Sequence, residues 1–295
     1  MKPRIALLAI AAAITVVAVS ADQERSSRER GIVVGTALAN GTPVTDLTPS
    51  DFIVREDNVA REVIRVSPAP PPSHVMILAD DSDSMQARIA FLRSAIAKFV
   101  PRMAAMTPPP QLALTTFGER PTKRVAFTPD ASAVEKAAKQ LFSINGAGAY
   151  FLQAISEACQ DLRKRQAASP VLVAFVSERS PEFSSDSRKQ IEKALQSAGA
   201  SLWVVALQDT SYSDRSPEGY ERAVVLGDVT VWSGGLTRTV NSEQGIEPAL
   251  DGIASLLASR TLVVYARPEQ TIPPTTIEVS TKRPDVRVAS PRWIR

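Results

Sequence analysis

Apolar segments that resemble strands alternate with segments that resemble helices after residue 74. The strand-like segments are Val75–Ala79, Leu112–Phe117, Val171–Ser177, Leu202–Leu207 and Leu262–Ala266. Between the first two, apolar residues recur every three or four positions, which is the period of one buried helix face. The alternation predicts a doubly wound α/β fold, in which helices cover both faces of a mostly parallel sheet.

One connection in this pattern is too short for a crossover helix. Only a few polar residues join Phe117 to Val125. Because parallel neighbours need a long connection, we predict that Arg124–Phe127 forms an antiparallel edge strand. Further helices are predicted at Ala131–Leu141, Phe151–Arg165, Ser187–Ser197 and Glu247–Ala258.

Short segments with strand character also occur at both ends of the chain. Residues 31–67 hold three of them, and residues 267–295 return to alternating apolar and polar positions. A proline-rich linker at 68–73 separates the first group from an α/β domain predicted at 74–266. Because two or three strands alone are marginally stable, we expect both ends to form one small β-sandwich-like module.

The N-terminus has the pattern of a secretory signal. Lys2 and Arg4 precede an apolar run from Ile5 to Val19, and small residues follow up to Ala21. This apolar run is too short for a membrane-spanning helix, which needs about 20 residues. We therefore predict a cleaved signal peptide at 1–21, export to the periplasm or the exterior, and no stable membrane insertion after cleavage.

Composition excludes several classes of function. The net charge of +3 includes Lys2 and Arg4 of the predicted signal, so the processed chain lacks the basic surface of a nucleic-acid-binding protein. Cys159 is the single cysteine, which excludes a disulfide within one chain, and His74 is the single histidine. Because the usual nucleophile and base pairs are missing, we predict a protein without enzymatic activity.

Acidic and hydroxyl side chains follow the first strand of the α/β pattern. Asp80, Asp81 and Asp83 fall within four residues, with Ser82 and Ser84 between and after them. In an open α/β sheet this position is the carboxyl edge, where ligands bind. Carboxylate and hydroxyl oxygens suit Mg²⁺ or Ca²⁺ rather than zinc.

A second segment is expected at the same edge. If the strands follow the common order 3-2-1-4-5, the strand Val171–Ser177 lies beside Val75–Ala79. Glu178 then lies next to Asp80. The predicted metal-ligating residues are Asp80, Ser82, Ser84 and Glu178.

At these residues the sequence resembles a known family. Asp80, Ser82 and Ser84, followed by Met85, resemble the first motif of von Willebrand factor type A domains, which form a metal-ion-dependent adhesion site. Flanking segments extend the resemblance to bacterial exported proteins of this kind over about residues 31–293, and they are Pro43-Val44, Asp51-Phe52, Arg55–Asn58, Ser233–Gly235 and Val264-Tyr265. The resemblance implies a binding or adhesion protein whose partner completes the metal site with a carboxylate.

The chain departs from the family at two other motifs. Gly148-Ala149 stands where the family has a Gly-Thr pair, so one hydroxyl ligand is missing. Ser177-Glu178-Arg179 stands where the family has Thr-Asp-Gly. Loss of a ligand lowers metal affinity. Two alternatives therefore stay open for this degenerate site, a weakened Mg²⁺ or Ca²⁺ site and a metal-free remnant.

These sequence features are compatible with two functions. The first is an exported, non-enzymatic protein that binds a protein partner, with the partner offering an acidic residue to the site. The second is a structural or assembly module of the cell envelope that works without metal.

Overall fold

The computed structural model describes residues 29–209, 211–268 and 273–294. The predicted signal peptide at 1–21 lies outside these ranges. The thirteen strands of the described residues are β1 (Glu29–Leu38), β2 (Phe52–Glu56), β3 (Val59–Arg61), β4 (Val63–Pro68), β5 (His74–Ala79), β6 (Gln111–Thr116), β7 (Thr122–Thr128), β8 (Val171–Ser177), β9 (Ser201–Leu207), β10 (Thr237–Val240), β11 (Thr261–Ala266), β12 (Ile277–Thr281) and β13 (Val286–Ala289).

Six longer helices connect these strands. They are α1 (Ile89–Ala104), α2 (Ala131–Lys139), α3 (Phe151–Lys164), α4 (Arg188–Ala198), α5 (Pro217–Val224) and α6 (Ile246–Ala258). Every helix predicted from the sequence is present within a few residues of its expected bounds. Helix α5 was not predicted, and it continues through a π-helical turn to Trp232.

A six-stranded sheet forms the centre of the molecule, in the order β10-β9-β8-β5-β6-β7. All neighbours are parallel except β6 and β7, so the predicted antiparallel edge strand is confirmed. The observed order also confirms that β8 lies beside β5. Alternate residues of β5 enter the two separate apolar cores on the two faces of the sheet.

One predicted strand lies in a different sheet. Residues 262–266 were expected in the parallel sheet, but β11 pairs antiparallel with β1 and β4. The sixth place in the parallel sheet belongs to β10, which the sequence pattern did not predict. A short apolar strand has the same pattern in either kind of sheet, whereas β10 alternates threonines with Arg238 and Val240 and has only four residues.

Strands from both ends of the chain form the flanking module, as predicted. One sheet has the order β13-β1-β11-β4 and the other the order β12-β2-β3. Their facing side chains, among them Val34, Phe52, Val263 and Ile277, make a third apolar core. Within the described residues, none of the helices combines the length and apolar character that crossing a bilayer requires.

Candidate functional site at the carboxyl edge of the sheet

Asp80 follows β5 directly and is fully buried at the carboxyl edge of the sheet. Its backbone N–H donates to the Phe175 carbonyl of β8, which ties the ends of the two strands together. Its carboxylate accepts bonds from the N–H groups of Ser177 and Ser82, each at 2.9 Å. The parallel pairing of β5 with β8 therefore places Asp80 beside the segment that follows β8.

Three serine hydroxyls meet at this carboxylate. Ser180 Oγ lies 2.6 Å from Ser82 Oγ and 2.6 Å from Ser84 Oγ, and it donates to Asp80 Oδ2 at 3.0 Å. We call Asp80, Ser82, Ser84 and Ser180 the serine cluster. Ser180 was not predicted from the sequence. The signal that could have found it is a hydroxyl two residues after Glu178, in the loop already expected at this edge.

Arg222 of α5 holds the loop that carries Ser180. The guanidinium donates from Nη1 to the Ser180 carbonyl and from Nη2, at 3.2 Å, to the Glu178 carbonyl. It also lies 3.8 Å from Asp214, which accepts a bond from the Glu182 N–H at 2.9 Å. A buried cation and its carboxylate partner therefore fix the backbone of residues 178–182.

The carboxylates predicted near the site have separate roles. Asp81 accepts from the Gly118 N–H at 2.6 Å and from Arg124 at 3.1 Å, so it braces the turn between β6 and β7. Asp83 accepts from the Gly146 N–H at 3.1 Å. Among the described residues, Asp80 is therefore the one carboxylate that the three serine hydroxyls contact.

Glu178 is half-buried, one residue beyond the end of β8. Burial raises the pKa of its carboxyl, and Arg222 lowers it by a smaller amount. Among the hydrogen bonds of the described residues, none joins its carboxylate to the serine cluster. The structure brings Asp80, Ser82 and Ser84 together, while the role of Glu178 as a ligand stays a prediction.

The oxygen atoms present do not suit a dedicated Mg²⁺ or Ca²⁺ site. Such cations take six or more oxygens, with carboxylates balancing the charge. The serine cluster has a single carboxylate, and its other side-chain oxygens are the neutral hydroxyls of Ser82, Ser84 and Ser180. Ser180 Oγ lies between the oxygens of Asp80, Ser82 and Ser84, the position from which a cation would contact all three.

Burial also raises the pKa of the Asp80 carboxyl, although the surrounding hydroxyl and N–H groups oppose that shift. A carboxyl that keeps its proton more readily is a weaker ligand for a hard cation, because the ligand is the deprotonated form. The electrostatic environment and the geometry of the serine cluster therefore both disfavour cation binding.

Ala149 stands where the family has a threonine, and it is fully buried. Its N–H donates to the Pro181 carbonyl and its carbonyl accepts from the Phe183 N–H, both at 2.8 Å. A Cβ atom on the neighbouring Gly148 would lie 2.2 Å from the Phe183 ring. These contacts join the segment before α3 to the loop after β8, and the close approach explains the glycine.

Glu182, in the loop after β8, also has a buried carboxyl group. Its Oε1 accepts bonds from Ser184 Oγ at 2.5 Å and from the Leu152 N–H at 3.4 Å, near the N-terminus of α3. Its Oε2 is buried and has no hydrogen-bond partner among the described residues. Burial raises the pKa of Glu182 to about 7, although Ser184 and Arg222 favour the charged form.

Three aromatic side chains lie on the loops that follow α2 and β8. Phe183, on the loop after β8, is 54% exposed, and Phe142, after α2, is 57% exposed. The Tyr150 ring lies 6.1 Å from the Phe183 ring, and the Arg124 guanidinium lies 5.8 Å from the Phe142 ring. We call Phe142, Tyr150 and Phe183 the aromatic rim.

Residues 75–179 match the family model described as the von Willebrand factor type A domain. This central part of the chain is therefore similar to von Willebrand factor type A domains. The match includes Asp80, Ser82 and Ser84 and ends one residue before Ser180. No curated protein sequence matches the chain at a significant level.

Solved structures similar to this chain include several bacterial proteins. The conserved hypothetical protein BatB from Bacteroides thetaiotaomicron is 15% identical with a TM-score of 0.47, and the match covers 62% of this chain and 98% of that one. The vWF domain of the type V pili tip protein Mfa5 from Porphyromonas gingivalis is 12% identical with a TM-score of 0.46, covering 63% and 95%. A von Willebrand factor type A protein from Catenulispora acidiphila is 10% identical with a TM-score of 0.47, covering 85% and 76%.

Proposed function

We propose that this chain is an exported, non-enzymatic protein-interaction module that binds a protein partner at the carboxyl edge of its central sheet without metal. The observation that carries the proposal is the aromatic rim, in which Phe142 and Phe183 are more than half exposed. Phe183 follows Ser180 by three residues. Phe142 lies two residues before Ile144, whose N–H donates to the Asp81 carbonyl. Exposed aromatic side chains on loops held by a rigid scaffold are typical of binding surfaces. The export of the chain rests on the signal pattern at residues 1–21.

Charge at the rim supports an acidic partner surface. The Arg179 side chain is 56% exposed and lies 3.6 Å from Asp209 at its nearest approach. Asp209 is 16% exposed and also accepts hydrogen bonds from the Ser211 N–H and hydroxyl, so it keeps partners when Arg179 leaves it. Exchanging Asp209 for a partner carboxylate therefore costs the exposed Arg179 little. A partner that presents an acidic residue beside an apolar contact would therefore satisfy both Arg179 and the aromatic rim.

The proposal that binding needs no metal depends on Ser180. Its hydroxyl bonds to the three side chains that would otherwise hold a cation, so the serine cluster satisfies its own hydrogen bonds. A cation would have to displace this hydroxyl, and burial, which raises the pKa of Asp80, disfavours the charged carboxylate that a cation needs. Both effects weaken cation binding.

The positions of the chemically reactive side chains support a non-enzymatic role. His74 is the first residue of β5, at the opposite end of that strand from Asp80, so it cannot act as a base for the cluster serines. Cys159 is buried, and burial raises its pKa to about 12. Such a thiol is not a nucleophile at neutral pH.

Photo-crosslinking in the native cells tests the proposed surface. A photoreactive phenylalanine analogue replaces Phe142 or Phe183 in separate variants, and a matched control replaces Val59, which is 53% exposed on the flanking module. We expect the same protein adduct from both rim positions and none from Val59. Adducts that form equally at Val59, or at neither rim position, would refute the surface.

The metal-free part of the proposal has its own measurement. Millimolar Mg²⁺ or Ca²⁺ should leave the melting temperature of the purified protein unchanged, and a chelator should leave the crosslink yield unchanged. A ligand that binds the folded state at 100 times its Kd adds about 2.7 kcal/mol. A rise of several degrees with either cation, lost in Asp80→Ala, would show that the serine cluster holds metal.

A further inference from the structure

A cavity of about 220 Å³ lies between the flanking β module and the central sheet. Its apolar walls come from both parts, with Trp203 on β9, Ile32 on β1 and Tyr265 on β11, together with Trp293 after β13. Pro170 and Ser201, at the amino ends of β8 and β9, also line it. The cavity is therefore at the opposite edge of the sheet from the serine cluster, and it is independent of the proposed binding surface.

Arg260 lines this cavity and is only 6% exposed. Its Nη2 donates to the Pro70 carbonyl at 3.3 Å, whereas its Nε is buried and has no hydrogen-bond partner among the described residues. It forms no ion pair within the described part of the chain. A buried cation without a counter-charge is costly, and a ligand that supplied an anionic oxygen would relieve that cost.

Charge around the cavity has one sign. The described lining residues include Arg30, Arg260 and Arg267 and contain no aspartate or glutamate. Arg267 pairs with Glu56, which accepts its Nε bond at 2.6 Å and also pairs with Arg61. Arg260, in contrast, has no carboxylate partner among the described residues.

We propose that this cavity binds a small aromatic carboxylate, whose carboxylate pairs with Arg260 and whose ring packs between Trp203 and Trp293. Size sets the class of ligand, because a cavity of about 150 Å³ holds benzene. By proportion, a cavity of about 220 Å³ holds roughly nine non-hydrogen atoms, which is the size of benzoate. Aromatic walls with one charged donor are the usual composition of a small-molecule site.

Titration of the purified protein with benzoate, with benzamide as a neutral control of the same shape, tests the proposal. The readouts are calorimetry and tryptophan fluorescence, since Trp203 and Trp293 line the cavity. We expect benzoate to bind with a Kd of about 1 mM or tighter and benzamide at least tenfold more weakly. Absence of benzoate binding up to 10 mM, or equal binding of the two compounds, would overturn the proposal without any variant being needed.

Arg260→Met provides a second test, in which benzoate binding should weaken although stability is kept. Removing this buried cation, which has no carboxylate partner among the described residues, should leave the melting temperature of the ligand-free protein unchanged or raised, while benzoate binding weakens at least tenfold. Arg287→Met, at an exposed arginine of β13, is the matched control and should bind benzoate like the unaltered protein. Benzoate binding that survives in Arg260→Met would refute the assignment of Arg260 as the anchor.

Discussion

Replacing Glu182 by glutamine should make the protein more stable at neutral and alkaline pH. The glutamate carboxyl is buried in the loop after β8, its Oε2 has no partner among the described residues, and its pKa is about 7 instead of 4.5. A shift of that size corresponds to about 3 kcal/mol between the charged and neutral forms. Glutamine has nearly the same shape and carries no charge at any pH.

The direction of the pH effect follows from where the proton resides. Between about pH 4.5 and 7 the folded protein holds a proton on Glu182 that the unfolded chain has lost, so this group lowers the free energy of unfolding as the pH rises. Above about pH 7 the carboxyl is charged in both states and the penalty is constant. Asp214 and Arg222, which contact the loop, are present in both proteins, so the difference between them isolates Glu182.

Urea unfolding of both proteins from pH 4.5 to 8 measures this difference. At pH 4.5 we expect similar free energies of unfolding, and at pH 8 we expect Glu182→Gln to be more stable by about 3 kcal/mol. Glu157→Gln, at an exposed glutamate of α3, is the control and should follow the unaltered protein at every pH. Parallel curves for Glu182→Gln and the unaltered protein, or a variant that is less stable at pH 8, would refute the reasoning.

Three further variants or modifications test other contacts of the central domain. Ser180→Ala removes the hydroxyl that joins the serine cluster, so the free energy of urea unfolding should fall by about 1–3 kcal/mol, and an unchanged value would contradict the network. Gly118→Ala would place a Cβ 2.8 Å from Asp81 Oδ1 and 3.0 Å from the Asp81 backbone, so we expect a loss of about 1–3 kcal/mol in the same assay, and equal midpoints would show that the turn relaxes freely. Cys159 should react with a thiol reagent only after denaturant is added, because it is buried with a pKa of about 12, and rapid labelling of the native protein would contradict its burial.

Local periodicity was sufficient to predict most of the central sheet. The apolar runs of β5, β6, β8 and β9 are buried on both faces, and the helical spacing between them leaves few topologies open. It was not sufficient for β11, because an apolar strand of six residues has no feature that distinguishes a parallel sheet from an antiparallel one. Its pairing with β1 depends on residues more than two hundred positions away.

The sequence likewise predicted only part of the candidate site. Asp80, Ser82 and Ser84 could be placed at the carboxyl edge because they follow a predicted strand, and the structure does place them together. Ser180 was not added to them, although it follows Glu178 by two residues, because its position depends on Arg222 of α5. That helix was not predicted, although Ser216 and Pro217 are a typical helix start. The same limit applies to Glu182, whose pKa follows from burial by surrounding elements rather than from its neighbours in the chain.

By itself, the sequence determined most of the strands and helices, which edge of the sheet carries the acidic and hydroxyl side chains, and which ligand of the family is missing at Ala149. The tertiary structure alone decided that a third serine hydroxyl meets the other two, and that Arg260 is buried beside two tryptophans with no counter-charge from the described part of the chain. The physical reason is that strand and helix patterns are local properties of the chain. Hydrogen-bond partners and burial depend on residues that only folding brings together.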